Sequence, residues 1–65
     1  MNNKLNINLI FEYLNKNNLT KTEFCRQCKI SRSTFYKIIN GKDFQIIALF
    51  KMAKVMNIKP YQFFE

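Results

Sequence analysis

The sequence predicts an all-α domain of five short helices, and three observations carry that reading. The 65 residues contain one Gly and one Pro, too few for an all-β chain with many tight turns. Apolar residues recur at helical spacing along most of the chain. Between these stretches stand residues that start and stop helices, among them Thr20, Ser31, Asn40-Gly41 and Asn57.

Each element has its own warrant. Leu9, Ile10, Tyr13 and Leu14 outline a first helix from about Asn6 to Lys16, stopping in the Asn17-Asn18 pair. Thr20 with Glu23 three residues on is a capping box, so the second helix starts at Lys21 with Phe24, Cys25 and Cys28 facing inward. Ser31 is the next cap candidate and opens a third helix that ends at Asn40-Gly41. Asp43 can cap a fourth helix, in which Ile46, Leu49, Phe50, Ala53 and Met56 keep helical spacing before Asn57 takes the left-handed stop. Pro60 suits the first turn of a short fifth helix through Phe63.

Size and charge bound the function. Sixty-five residues make one domain, expected over 1–65, with a thin core and no room for a cleft enclosed between domains. Eleven Lys and Arg against four acids give a net charge of +7, which attracts polyanions at long range. Six of the cations, from Lys21 to Lys42, fall in one stretch interrupted only by Glu23. No apolar run approaches the roughly 18 residues that span a bilayer, and Met1–Leu14 does not look like a signal peptide. The expected location is therefore the cytoplasm, with no membrane partner.

Chemistry is sparse. The chain has no His and no paired acids at useful spacing, so no enzymatic function is expected. Cys25-x-x-Cys28 has the spacing of a zinc or redox motif, but zinc needs four ligands and thioredoxin-like chemistry needs a βαβ setting. Both cysteines read as small core hydrophobes, and neither a metal nor a cofactor is expected.

Only Lys29, Ile30 and Ser31 separate the second and third helices, a connection short enough to force a steep crossing. Leu19 to Phe64, with its Leu19-Thr20 start, the run Ile30-Ser31-Arg32-Ser33-Thr34, Asn40-Gly41-Lys42 and the ending from Asn57-Ile58 to Phe64, resembles the Cro/phage-repressor (Xre-type) helix-turn-helix family over about seventy per cent of the chain. The resemblance implies a five-helix, lambda-repressor-like domain whose helix-turn-helix spans Lys21 to Asn40. It also implies a bacterial or phage-encoded regulator, usually dimeric, acting on double-stranded DNA at the nucleoid. Two positions depart from the family pattern: Lys29 stands where Gly is usual, and Ile39 where a polar residue is usual.

Within this motif the third helix reads bases. Arg32, Ser33, Tyr36 and Lys37 gather on the face opposite Phe35 and Ile38, and Arg32 suits the O6 and N7 acceptors of guanine. Phosphate contacts are expected from Lys21 and Thr22 in the first turn of the second helix, and from Asn40, Gly41 and Lys42 after the third. Arg26 and Lys29 are outer contributors, while Lys16, Lys51, Lys54 and Lys59 read as solvated charges. Ile39, Phe44, Ile47, Val55 and Ile58 are candidates for an exposed patch that dimerises the domain. The reading is a repressor binding a palindromic operator as a dimer. Two alternatives stand beside it: a protein-binding module such as an antitoxin or anti-regulator, and a nonspecific nucleic-acid binder.

Overall fold

Residues 5–64 are described by a computed structural model; residues 1–4 and 65, which the expected domain boundaries include, lie outside them. Four α-helices follow in order: α1 (Asn8–Lys16), α2 (Lys21–Cys28), α3 (Arg32–Ile39) and α4 (Ile46–Met56). A 3₁₀ segment, Pro60–Phe64, closes the described chain. The expected fifth helix is thus present as a tighter turn. Five residues are too few for an α-helix to complete its bonding, and Gln62 instead caps the turn by accepting from the Lys59 amide at 2.9 Å. α1 begins at Asn8, two residues later than expected, because Ile7 precedes it and no side chain caps its start.

The starts of α2 and α3 are fixed by hydroxyls. Thr20 Oγ1 accepts from the Glu23 amide at 3.1 Å, and Ser31 Oγ accepts from the Thr34 amide at 3.0 Å. The expected capping box at Thr20 closes on one side only. The Glu23 carboxylate turns instead to Arg26 at 3.2 Å, the single ion pair among the described residues. α4 corrects the expectation for Asp43, because the helix starts two residues later and Gln45 occupies its N-cap without a side-chain bond.

All four α-helices end in the same way. One residue adopts the left-handed conformation, and the amide after it donates back to a carbonyl five residues earlier. The left-handed residues are Asn18, Lys29, Gly41 and Asn57. The closing bonds are Leu19 to Leu14 (2.9 Å), Ile30 to Cys25 (3.1 Å), Lys42 to Lys37 (2.8 Å) and Ile58 to Ala53 (3.0 Å). At three exits the residue after the left-handed position is apolar and packs against the core, namely Leu19, Ile30 and Ile58. After α3 it is the exposed Lys42.

The core sits where α2 meets both α3 and α4, with the 3₁₀ segment laid against α4. Phe24, Phe35 and Phe63 are fully buried there, one from each of three elements. Phe24 and Phe35 meet edge to face at 6.0 Å, and Tyr13 of α1 lies 5.7 Å from Phe24. The Tyr13 hydroxyl also donates to the Val55 carbonyl at 3.3 Å, tying α1 to α4. Cys25 and Cys28 are free thiols, each 3% exposed, and form part of this core. Burial pushes the Cys28 thiol up to about 12, and the nearby Cys25 adds to the shift. The Cys25 thiol is also raised by burial, against the opposing charge of Arg32.

Ile46 and Phe50 are a second correction on α4. Helical spacing grouped them with Leu49, Ala53 and Met56, yet they are 52% and 48% exposed, and Ala48, Leu49, Met52, Ala53 and Met56 make the buried stripe. No described helix is long and apolar enough to cross a membrane.

Candidate nucleic-acid interface

The connection from α2 to α3 consists of Lys29, Ile30 and Ser31, and each does a different physical task. Lys29 takes φ 60 and ψ 43, reversing the chain at the end of α2. Ile30 drops against the core, and Ser31 caps α3. The positive φ at Lys29 is the conformation for which the family pattern ordinarily supplies glycine. A side chain there costs about 1–2 kcal/mol in backbone strain.

Phe35 and Ile38, at 0% and 1% exposure, bolt α3 onto the core from one side. The polar face is thereby aimed at solvent. Arg32, Ser33, Tyr36, Lys37 and Asn40 are all exposed. Tyr36 is held by an edge-to-face contact with Phe35 at 5.7 Å, which steadies its ring while leaving 43% of the residue accessible. Ser33, Tyr36, Lys37, Asn40, Lys42 and Asp43 together border a shallow hollow of roughly 530 Å³. Three of the four expected base-reading residues share that hollow with two of the expected phosphate anchors. Arg32 is not among the residues that border it.

Lys21 and Thr22 are exposed in the first turn of α2. α2 opens on Lys21 but carries Glu23 in its first turn, whereas α3 opens on Arg32 and has no acid there. The helix dipole opposes the Arg32 placement, so the start of α3 favours an external anion. Gly41, at φ 72, has nothing within 4 Å of where a Cβ would stand. Its glycine therefore serves the backbone angle and leaves the surface open, with no protein neighbour requiring the space.

Of the expected dimer patch, Ile39, Phe44, Val55 and Ile58 are half-buried and packed against the core. Of the five, only Ile47 is exposed, at 51%. The exposed apolar surface instead joins Ile46, Ile47 and Phe50 on α4. Tyr61 and Phe64 of the 3₁₀ segment are exposed as well. Sequence spacing could not find the α4 patch, since five successive apolar residues from Ile46 to Phe50 fit any face of a helix.

One further grouping was not legible in the sequence. Lys29, Lys37 and Lys51 line an open groove of roughly 630 Å³ between α3 and the start of α4. Lys51, expected to be a solvated charge, is exposed but stands at this groove beside the motif.

A comparison with curated proteins finds no significant match, and neither does a comparison with solved structures. A family model described as helix-turn-helix matches residues 10–63, taking in all four α-helices except the first two residues of α1. The hydroxyl-capped helix pair, its three-residue turn and the polar face held outward agree with that match. The chain belongs to the Xre-type, lambda-repressor-like helix-turn-helix family of DNA-binding regulators.

Proposed function

We propose that this domain is a repressor that binds a palindromic operator in the major groove as a homodimer. One observation carries the reading: the outward face of α3 is polar and cationic, while Phe35 and Ile38 fix that helix to the core. In this role Arg32, Ser33, Tyr36 and Lys37 contact base edges. Lys21 and Thr22 on one side, and Asn40, Gly41 and Lys42 on the other, hold phosphates. Arg32 at the start of α3, where no acid offsets the helix dipole, supports an anionic partner.

The dimer is formed through α4, with Ile46 and Phe50 at its centre and Ile47, which also lines the groove between α3 and α4, at its edge. Three large apolar residues exposed within two helical turns are costly in water and inexpensive against a second copy. Two recognition helices paired in this way sit about one DNA turn, ~34 Å, apart. Such a protein represses by occupying a promoter, which requires no contact with the polymerase. It acts wherever the bacterial or phage genome that encodes it is held.

Selection of bound duplexes from a random pool tests the reading. A symmetric site is expected, and Arg32→Ala should lower discrimination between that site and a scrambled one by about 1–3 kcal/mol. Scrambled DNA that competes as well as any selected duplex at physiological salt would defeat the specific reading.

A further inference from the structure

We propose that the groove between α3 and the start of α4 seats the backbone of one DNA strand, with Lys29 and Lys51 as its phosphate-binding cations. This assignment rests on the DNA-binding reading above; it gives Lys29, expected only as an outer contributor, a defined place and adds Lys51, which was read as a solvated charge.

The groove opens beside the recognition face. Lys37 and Asp43 line both the groove and the hollow that holds Ser33 and Tyr36, so they form the ridge between the two. At 100° per residue, Arg32 and Ile39 fall on one flank of α3 and Thr34 on the other. The Thr34 flank faces the groove. A helix lying in the major groove has a phosphodiester backbone on each side, and the groove lies along one of them.

Its chemistry suits a backbone. Three lysines and the hydroxyls of Ser31 and Thr34 stand around it, against the single acid Asp43. None of those lysines is ion-paired among the described residues, where the one pair is Arg26 with Glu23. Ser31 Oγ donates to Thr34 Oγ1 at 3.0 Å, which leaves the Thr34 hydroxyl hydrogen free to donate outward.

Lys29 supplies a second, independent observation. Of the four left-handed helix exits, three are Asn or Gly, which enter that conformation with little strain. The α2 exit alone keeps a long cationic side chain, and that side chain lines the groove. Backbone strain persists where the side chain that causes it has work to do. An acidic protein segment would also satisfy the charge, but continuity with the recognition face favours DNA.

Salt dependence decides the matter. The affinity of the protein for a fluorescent duplex, selected by the wild type from a random pool, is followed from about 50 to 300 mM salt. Lys29→Gly and Lys51→Gln should each reduce the slope of log affinity against log salt by about 0.9. That slope, extrapolated to about 0.15 M salt, corresponds to roughly five-fold weaker binding of matched and scrambled duplexes alike. Lys16→Gln, on the last turn of α1 and away from the groove, should change neither quantity. Lys29→Gly relieves strain, so a melt at or above the wild-type temperature separates lost contact from lost fold. Unchanged slopes for both variants, with tight wild-type binding, would overturn the groove assignment and leave the DNA reading intact. Loss of discrimination in place of slope would make these lysines base contacts and overturn it equally. A wild-type protein that selects and binds no duplex would remove the DNA reading itself.

Discussion

Replacing Lys29 with glycine should make this protein more stable, although it deletes a side chain. The wild-type residue sits at φ 60 and ψ 43, where an L side chain costs about 1–2 kcal/mol. Glycine removes that cost but loses more freedom on folding, about 0.5–1 kcal/mol. The hydrogen bonds are unaffected, since the Lys29 and Ile30 amides donate to Arg26 and Cys25 carbonyls through the backbone. The balance is a gain of about 0.5–1 kcal/mol. For a domain of this size that is a rise in Tm of roughly 2–8 °C. Two companions sharpen the measurement, which is a circular-dichroism melt. Lys29→Ala keeps a Cβ and should stay near the wild type. Asn57→Gly starts from the same φ and ψ, but asparagine tolerates them, so its gain should be smaller. A Tm for Lys29→Gly at or below the wild type, with Asn57→Gly higher, would refute the assignment of strain to the lysine.

Three further outcomes are expected. Ser31→Ala removes the hydroxyl that caps α3 and should cost about 1 kcal/mol in a denaturant melt; no loss would mean that the cap is replaced by water at little cost. Cys28 has a folded-state pKa of about 12, raised from 9.0, so its contribution is complete below pH 9 and is lost as pH rises towards 12. Between pH 8 and 10 the wild type should lose stability, on the order of 1 kcal/mol, that Cys28→Ala does not, with Cys25 acting in the same direction in both; parallel pH profiles would refute it. Ile47→Glu with Phe50→Glu should leave the melt within about 0.5 kcal/mol, as both are half exposed, while abolishing the dimer in sedimentation. A wild-type protein that is monomeric at high concentration, with and without DNA, would remove α4 as an interface.

The helix-turn-helix was legible because its signals are local. Thr20 and Ser31 announce helix starts by their own chemistry, and Asn40-Gly41 and Asn57 announce stops in the same way. The outward face of α3 followed from the positions of Phe35 and Ile38. What could not be read depends on contacts distant in sequence. Lys51 joins Lys29 at one groove only after α4 has packed on α2. Asp43 is by chemistry a better cap than Gln45, yet the α3–α4 loop runs two residues further before the helix begins. The run from Ile46 to Phe50 is apolar throughout, so its period could not say that Ala48 and Leu49 go inside while Phe50 stays out.

The exit of α3 has a consequence for how binding and folding are coupled. Leu19, Ile30 and Ile58 act as latches, because none of these residues leaves the core without breaking the helix exit behind it. Lys42 holds no such latch: its own place is kept by the backbone bond to Lys37, and the first residue beyond it to pack against the core is Phe44. Under the proposed binding mode a phosphate against Lys42 would do the fastening that an apolar residue does elsewhere. The exit of α3 would then be completed by the ligand. Amide exchange at Gly41 and Lys42 should slow on binding more than at Asn18-Leu19 or Asn57-Ile58, whose latches are closed from the start.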